Sequence, residues 1–493
     1  MKKINELYKG YSRMPEPAKA SFWFMICTVL QKGISMVTMP IFTRIMSPEH
    51  YGVVSVYNAW YGILSIFATL NLSAGVFNKG MIKYETDKSN YVSSMLGLAG
   101  TATIFIGMIY LVNPIFWEKV LQLPRILIIT MLVTYFFDSA FALWAVYERF
   151  HYHYKYLVLV TIATSIFSSA FSVIVVLNTQ DKGVSRIVST AIFQSAIYAI
   201  IYARIAKKSH KLFNKRYWIY ALRFNIPLIP HYLSMTVLGQ ADRIMINNMV
   251  GSGQAAIYGV AHNISTLMTI ITNAISGTYV PFVYQSIKDK RYGDIKKITN
   301  LLLAIVAVCC MAILLFGPEI IRFFASKEYY AARWVIPPIS TSIYFIFLYQ
   351  LFGNIEFYFE KTKFVMIASC IGAVTNILLN FIFIRRYGFV AAAYTSLVCY
   401  ILFSVMHYIF SKKVLKQNHI NIEQLYDMRG VLIISIALLV FMVIFTVMYD
   451  LIVIRYTVIL ITVCGVLVNL KKICKFIDKG KIASTFSKAS DVG

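Results

Sequence analysis

The chain contains 493 residues, of which 59% are hydrophobic, 15% aromatic and only 14% charged. A soluble domain carries roughly 25% charged residues, so this composition excludes an ordinary soluble protein and indicates an integral membrane protein. The formal charge of +26 would suggest a nucleic-acid partner in a soluble protein. Here the cations stand in short segments between apolar stretches, which indicates membrane lipids as partners and no nucleic acid.

Fourteen stretches of the chain are long and apolar enough to cross a bilayer, which takes about twenty mostly apolar residues. They are residues 20–43, 51–77, 92–113, 125–147, 156–178, 184–203, 218–249, 255–284, 299–324, 334–359, 364–384, 388–410, 430–449 and 452–470. The sequence therefore predicts an all-α polytopic membrane protein. No segment between these spans is long enough to fold alone, which excludes an enzyme with a soluble catalytic domain, and we expect that the protein is not an enzyme.

The cations are distributed unequally between the two sides of these spans. If the N-terminus is cytoplasmic, the inner segments hold 33 Lys and Arg residues and the outer segments hold 11, with Arg186 and Arg455 counted among the outer ones. Cytoplasmic loops of membrane proteins carry an excess of Lys and Arg. The bias therefore predicts a multi-pass protein of the inner (cytoplasmic) membrane with both termini in the cytoplasm.

A weak internal repeat predicts the arrangement of the spans. The turn after span one ends in Tyr51-Gly52-Val53, and the turn after span seven leads into Tyr258-Gly259-Val260, 207 residues later. Six helices per repeat give a parallel repeat, whose halves typically rock around a central site. The predicted order is a cytoplasmic N-terminus (1–19), a six-helix bundle (20–205), a basic linker (206–217), a second six-helix bundle (218–411), an amphipathic connection (412–429), two extra helices (430–470) and a basic tail (471–493).

Polar and ionisable residues within the spans predict a substrate cavity, because such groups usually face a bundle interior or water. The candidates are Lys32, Asn58, Asp138, Arg223, His231 and His262. A lysine at mid-membrane needs an anion, which is either a substrate phosphate or the carboxylate of Asp138. The two histidines either take part in ion coupling or pack with a hydrogen bond. Serines and threonines that follow these residues at helical spacing either line the cavity or join helices.

A second group of residues predicts gates and hinges. Arg44, Asp242, Arg243 and Glu356 stand near the ends of spans and are candidates for gating contacts or ion pairs. Pro40, Pro227 and Pro230 interrupt spans one and seven, and proline within a helix removes a backbone hydrogen bond and kinks it. We expect span seven to bend or partly unwind. Nothing in the sequence indicates a catalytic residue, a metal site or a cofactor, while coupling to protons or sodium stays open.

Three segments resemble a known family. They are Phe42-Thr43-Arg44-Ile45-Met46-Ser47-Pro48-Glu49-His50-Tyr51-Gly52, then Asp242-Arg243-Ile244-Met245-Ile246 followed by Tyr258-Gly259-Val260-Ala261, and finally Phe359-Glu360-Lys361-Thr362-Lys363 with Asn376, Leu379-Asn380 and Tyr387-Gly388-Phe389-Val390-Ala391-Ala392-Ala393. In this order they are similar to the Wzx-type flippases, the polysaccharide transporter branch of the exporter superfamily (MOP) that also contains the MATE antiporters. Ala391 replaces the family's usual glycine, which affects close packing.

The resemblance implies a flippase. Its expected cargo is an oligosaccharide linked to undecaprenyl pyrophosphate, such as an O-antigen, capsular, exopolysaccharide or teichoic acid repeat unit, carried from the inner to the outer leaflet by alternating access. Glycan polymerase or glycosyltransferase machinery would be its partners. Two alternatives stay open: a MATE-like drug or cation antiporter, whose usual acidic cavity Lys32 argues against, and an intramembrane glycan polymerase or acyltransferase. The sequence leaves the sugar, the coupling ion and the oligomeric state open.

Overall fold

The structure is a computed structural model that describes residues 15–209 and 211–461. These residues are almost entirely helical and contain no strand. Eleven of their helical segments are long and apolar enough to cross a membrane. Large apolar side chains stay exposed on the outer faces of these helices, with Val112 86% and Val453 79% exposed. Surfaces of this kind occur where lipid rather than water covers the protein.

The helices form two compact units, the first of which ends at Ala256. It contains α1 (Glu16–Ile45), α2 (Pro48–Ala68), α3 (Val76–Lys83), α4 (Lys88–Val112), α5 (Pro114–Leu121), α6 (Arg125–Phe150), α7 (Tyr154–Leu177), α8 (Lys182–Ser209), α9 (Lys215–Asn225), α10 (Ile229–Met249) and the start of α11 (Ser252–Ser265). In this unit α8 packs against α6 and α7, α1 packs against α7, and α10 packs against α2.

The second unit begins at Ile257, within α11. It continues with α12 (Met268–Lys288), α13 (Tyr292–Phe324), α14 (Ile336–Tyr358), α15 (Thr362–Tyr387), α16 (Phe389–Gln417), α17 (Ile422–Leu425) and α18 (Met428–Val447). A last helical segment, Ile452–Ile461, ends the described residues. Most residues of α14 are buried, and this helix packs against α13, α16 and α18.

The predicted fold class is confirmed, and nearly every predicted span coincides with a helix. Span two corresponds to α2, and span seven corresponds to α9 and α10 together. These helices are not among the eleven apolar segments, because polar residues such as Asn58 and Asp242 interrupt them. The predicted end of span two at residue 77 is wrong. The helix stops at Ala68, since Leu70 and Asn71 adopt left-handed conformations with φ of 50° and 47° that an α-helix cannot contain.

The predicted domain boundaries stay a prediction. They were derived from an internal sequence repeat, whereas the two compact units are defined by contacts between residues, so the units do not test the repeat. α8 runs on to Ser209 and α9 begins at Lys215, so only a short connection separates them. The predicted connection at 412–429 contains the end of α16 and all of α17, whose Ile422 and Leu425 are buried. Residues 1–14, and 462–493 with the predicted basic tail, lie outside the described residues.

The first motif folds into the turn between α1 and α2. Ser47 caps α2 by accepting a hydrogen bond from the backbone N–H of His50, and Pro48 occupies the first helical position, where no backbone donor is needed. Gly52 allows a close approach, because a Cβ atom there would lie 2.0 Å from the carbonyl oxygen of Ser252. Ser47, Pro48 and Gly52 therefore shape the turn.

The third motif builds a buried polar network between α15 and α16. The Asn376 amide donates to Ser396 at 3.2 Å, the Asn380 amide donates to Asn376 at 3.2 Å, and the Thr395 hydroxyl donates to the Asn380 carbonyl oxygen. All four side chains are buried. Such bonds between helices hold a membrane bundle together where apolar packing alone gives little specificity.

Span seven is interrupted in the structure. A 3₁₀ turn, Ile226–Leu228, separates α9 from α10. Pro227 lies at the start of this turn and Pro230 at the start of α10, so each proline occupies a position where the missing N–H breaks no helical bond. Pro40 differs, because α1 continues through it to Ile45. The hinge role of the three prolines stays a prediction.

The first half of span seven is fixed to the first unit by aromatic contacts. The ring of Tyr217 in α9 lies 4.6 Å from that of Tyr84 and 5.5 Å from that of Tyr91. The indole N–H of Trp218 donates to the carbonyl oxygen of Ser94 at 2.9 Å. α9 is therefore anchored on α4 ahead of the 3₁₀ turn.

Candidate functional site

A polar cavity of about 560 Å³ lies inside the first unit, between α1, α2, α6, α7 and α8. Its lining consists of Gln31, Lys32, Ile34, Ser35, Thr38 and Phe42 from α1, Val54, Tyr57, Asn58 and Tyr61 from α2, Thr134 and Asp138 from α6, Ser165, Ser168 and Ser169 from α7, and Arg186, Ile187, Thr190, Ala191 and Gln194 from α8. Its volume falls in the range of roughly 300–1,000 Å³ that is common for small-molecule sites. We call it the first-unit cavity.

Three of the predicted site residues line this cavity together. Lys32 is exposed to it from the middle of α1, Asn58 from α2 and Asp138 from α6. The polar positions of α1 recur at helical spacing, which is why Lys32, Ser35 and Thr38 present one face to the cavity. Helical periodicity turns the polar residues of α1 to one face, and packing of α1, α2 and α6 brings Lys32, Asn58 and Asp138 to the same cavity.

Lys32 and Asp138 form no ion pair in the part of the chain that the structure describes. The carboxylate of Asp138 instead accepts a hydrogen bond from the hydroxyl of Tyr61 through Oδ2, and its Oδ1 is buried without a hydrogen-bond partner. The hydroxyl of Tyr135 donates to the carbonyl oxygen of Tyr61 at 2.7 Å and holds that part of α2 against α6. The ammonium group of Lys32 thus faces the cavity without an ion-pair partner among the described residues.

A second cavity of about 360 Å³ meets the first at Tyr61 and Asp138, which line both. Its other lining residues are Thr69, Leu72, Ser73, Ala99, Ser139, Phe141, Ala142, Leu143 and Tyr198. In α6 and in the segment from α2 to Ser73, these residues follow Asp138 and Tyr61 in the chain. The residues of α2 and α6 that line only the first-unit cavity precede them. The Tyr61–Asp138 hydrogen bond therefore lies at the boundary between the two cavities.

Arg186 was predicted to be an outer loop cation and was not predicted to be a site residue. The structure places it in the second turn of α8, where it lines the first-unit cavity. Arg186, Thr190 and Gln194 recur at every fourth position, and this helical spacing could have revealed them. Tyr61 and the serines of α7 were also missed, since a hydroxyl in a span is more often a helix-packing group.

The other predicted cavity residues lie elsewhere. Arg223 is exposed in the last turn of α9, and His231 is half-buried in α10, with its ring 5.7 Å from that of Tyr232. His262 is half-buried in α11, with its ring 6.3 Å from that of Tyr258. None of the three lines the first-unit cavity. Their predicted contact with substrate stays a prediction.

Two of the predicted gating residues of the first unit, Arg44 and Arg243, form hydrogen bonds within their own helices. The guanidinium of Arg44 donates to the carbonyl oxygen of Pro40 at 3.0 Å, one turn back in α1. Asp242 and Arg243 are buried in α10, and Arg243 donates to the side-chain oxygen of Gln240 at 2.7 Å. These contacts leave the gating role of the three residues a prediction.

Glu356 in the second unit is fully buried and faces a residue that sequence analysis did not single out. Its Oε1 lies 2.8 Å from Nδ1 of His407 and accepts a hydrogen bond from Ser411 at 3.3 Å. The imidazole and the carboxyl group thus share one buried hydrogen bond. The pair joins α14 to α16, and no spacing in the sequence relates two residues 51 positions apart on different helices.

Arg455 was also counted as an outer loop cation and is instead buried, with 2% of its surface exposed. It forms an ion pair with Glu319 of α13, to which the hydroxyl of Tyr456 donates at 2.7 Å. The last helical segment is thereby connected to the second unit. Among residues 15–209 and 211–461, no group of three or more His, Cys, Asp or Glu residues could hold a metal ion.

The apolar helices and the polar cavity define a polytopic membrane protein whose first unit encloses a polar cavity lined by two cations. Residues 18–287, more than half of the chain, match the family model described as polysaccharide biosynthesis protein, and residues 227–382 also match the MatE family model. The chain belongs to the polysaccharide biosynthesis protein family. The predicted resemblance to the polysaccharide branch of the MOP superfamily is confirmed.

Individual relatives are distant. The chain is similar to an uncharacterized membrane protein of Haemophilus influenzae, with 23% identity over 200 residues, which cover 39% of this chain and about half (49%) of that relative. Its fold is similar to that of the lipid II flippase MurJ in an inward closed conformation, with a TM-score of 0.64 and 14% identity over 88% of this chain and 99% of that one. An inward-facing multidrug resistance MATE family transporter has a TM-score of 0.56 and 11% identity over 78% and 95%. The fold of this chain is thus similar to the folds of a lipid II flippase and a multidrug transporter.

Proposed function

We propose that this protein is a flippase that moves an oligosaccharide linked to undecaprenyl pyrophosphate from the inner to the outer leaflet of the cytoplasmic membrane. The cargo belongs to the class of O-antigen, capsular, exopolysaccharide or teichoic acid repeat units. Membership of the polysaccharide biosynthesis family supports the glycan, and the fold shared with a lipid II flippase supports transport of a lipid-linked molecule. Transport rather than catalysis would then be the protein's contribution to glycan assembly.

The ammonium group of Lys32 is the observation that carries this proposal. It faces the first-unit cavity, where Asp138 accepts a hydrogen bond from Tyr61 and, among the described residues, no carboxylate forms an ion pair with Lys32. A cation at mid-membrane is costly unless an anion accompanies it. A pyrophosphate group would supply that anion each time a substrate enters, whereas the lipid tail could stay among the acyl chains. The arrangement favours substrate contact over a permanent Lys32–Asp138 pair.

Polar side chains around Lys32 could form hydrogen bonds with the glycan. Gln31, Asn58 and Gln194 line the same cavity and offer amide donors and acceptors to sugar hydroxyls. Net movement would follow from different affinities of the inward and outward states for the substrate. We place the conformational change at the Tyr61–Asp138 boundary between the two cavities and at the 3₁₀ turn with Pro227 and Pro230.

The two alternative functions fit the cavity less well. A MATE-like antiporter for cationic drugs would have to bind a cation next to Lys32 and Arg186. An intramembrane polymerase or acyltransferase needs a general base or nucleophile that is poised at the membrane surface. The buried His407–Glu356 pair lies deep between α14 and α16 and does not offer one.

Deletion of the gene tests the proposal, with complementation by variants of Lys32. We expect the deletion strain to accumulate lipid-linked glycan precursor in the inner leaflet. Lys32→Ala should slow translocation about tenfold or more, as expected for loss of a charge-assisted contact, whereas Lys32→Arg should retain much of it. The exposed Lys155, which does not line the cavity, supplies the matched control Lys155→Ala.

Two results would count against the flippase. A deletion strain without precursor build-up would remove the glycan cargo, and altered drug susceptibility in its place would support the antiporter. Normal translocation by Lys32→Ala at normal protein level would remove the assignment of this lysine to the substrate. Protein level in the membrane must be measured for every variant, so that misfolding is not taken for lost transport.

A further inference from the structure

Arg186 places a second cation in the first-unit cavity, far from Lys32. It stands where α1 ends and α2 begins, with its guanidinium carbon 3.8 Å from the ring centre of Phe42 and 4.9 Å from that of Tyr51. Lys32 and Phe42 are ten residues apart on α1, which is roughly 15 Å along the helix at 1.5 Å per residue. The two cations therefore occupy different levels of the cavity.

The guanidinium of Arg186 has no anionic partner in the part of the chain that the structure describes. Its Nη1 is buried and makes no hydrogen bond. The bonds formed by Ser172 and Thr190 reach only the backbone carbonyl of this residue, at 3.2 and 2.8 Å. An arginine keeps its charge under all ordinary conditions, so the buried donor is costly until an acceptor reaches it.

The two rings prepare this guanidinium for an anion. They stack against it and restrict its orientation, so that little rotational freedom is lost when a ligand binds. The donors left at the edge of a stacked guanidinium form a planar fork, which matches two oxygens of a phosphate. A sugar hydroxyl would also accept one bond, but it would not balance the charge.

We propose that Arg186, held between Phe42 and Tyr51, is a phosphate-binding site at the opposite level of the cavity from Lys32. This inference rests on the proposed function, in which the pyrophosphate group of the substrate is bound first near Lys32 and then near Arg186. Because the two cations stand at different levels of the cavity, the two sites act in succession. Under the predicted topology Arg186 lies towards the outer leaflet, where the substrate leaves.

Binding of inorganic pyrophosphate to the purified full-length protein in nanodiscs tests this site. Calorimetry should show that Arg186→Gln weakens binding about tenfold or more, the expected loss for a charge-assisted contact, and that Arg186→Lys restores part of it. A purely structural role of Arg186 would instead lower the thermal midpoint of the protein and leave the affinity of the folded fraction unchanged, which would overturn the proposal. The same titration with glucuronate distinguishes a phosphate site from a carboxylate site. If glucuronate binds and pyrophosphate does not, the proposed phosphate-binding site is also refuted.

The transport assay separates this inference from the proposed function. We expect Arg186→Gln to slow translocation while the precursor still accumulates in the deletion strain. If Lys32→Ala blocks translocation but Arg186→Gln changes neither pyrophosphate affinity nor translocation, the Arg186 site is refuted and the flippase stands. If deletion causes no accumulation but pyrophosphate binding still depends on Arg186, the site stands and its substrate is not a lipid-linked glycan.

Discussion

Tyr61 and Asp138 determine what the first-unit cavity offers to a ligand. The tyrosine hydroxyl donates to Oδ2 of the aspartate, and both side chains line the two neighbouring cavities. This bond holds one oxygen of Asp138, and among the described residues the carboxylate forms no ion pair with Lys32.

Replacing Tyr61 by Phe should therefore destabilise the protein and weaken transport. The change leaves a buried carboxylate without its donor, which costs roughly 1–3 kcal/mol, and it frees Asp138 to compete with substrate for Lys32. Tyr135→Phe is the matched control, because its hydroxyl donates to a neutral carbonyl oxygen at 2.7 Å and should contribute only about 0.5–1.5 kcal/mol. Thermal unfolding of both purified variants measures the difference. An equal or smaller loss for Tyr61→Phe would contradict the role given to this bond.

The residues of the site were predictable only in part. Lys32 and Asp138 stand out in a sequence, because ionisable groups within apolar spans are rare. Arg186 lies near the end of a predicted span, where the sequence does not distinguish a cation in a loop from a cation in a cavity. Tyr61 could not be identified at all, since its importance depends on α2 and α6 meeting at one level. Such partnerships are set by packing and not by the local pattern.

Helices themselves follow from the sequence more completely than their contacts. A run of about twenty apolar residues has almost no alternative to a membrane-spanning helix, because every backbone group must be hydrogen-bonded within lipid. Prediction was wrong at the end of α2, where apolar composition continues past Ala68 but the backbone turns at Leu70 and Asn71. The apolar composition of a segment indicates that it lies in lipid, but it does not determine where the helix ends. The end of a helix depends on the backbone conformation of individual residues.

The contact between α14 and α16 should depend strongly on the buried Glu356–His407 pair. Glu356→Ala removes the acceptor of both His407 and Ser411, and breaking a buried pair costs roughly 3–5 kcal/mol. Glu356→Gln should cost less, since its amide oxygen can accept the same two bonds. The exposed Glu423 gives a control, Glu423→Ala, that should stay within about 0.5 kcal/mol.

Thermal unfolding combined with a double-mutant cycle measures this pair. The loss for Glu356→Ala with His407→Ala should be smaller than the sum of the two single losses, because the second change removes a group that the first had left unpaired. Additive losses would show that Glu356 and His407 contribute independently. α14 and α16 would then be held together by their apolar contacts alone.

The whole molecule should be oriented by its charge. The bias of 33 inner against 11 outer cations places the turn that contains Gln180 outside and the end of α16 at Gln417 inside. Both side chains are exposed, so single cysteines at these positions should react freely. A membrane-impermeant maleimide should label Gln180→Cys in intact spheroplasts and label Gln417→Cys only after permeabilisation, with the unsubstituted chain as background for its seven native cysteines.

The labelling pattern also tests the direction of transport, because the level of each cation depends on it. If Gln417→Cys reacts in intact spheroplasts and Gln180→Cys does not, Arg186 lies towards the cytoplasm and would meet the substrate before Lys32 does. Labelling of both positions from outside would mean that an even number of crossings separates Gln180 from Gln417, whereas predicted spans six to twelve give seven. That result would refute the count of fourteen spans, since one additional or missing span reverses every later loop and removes the charge bias that supports the orientation.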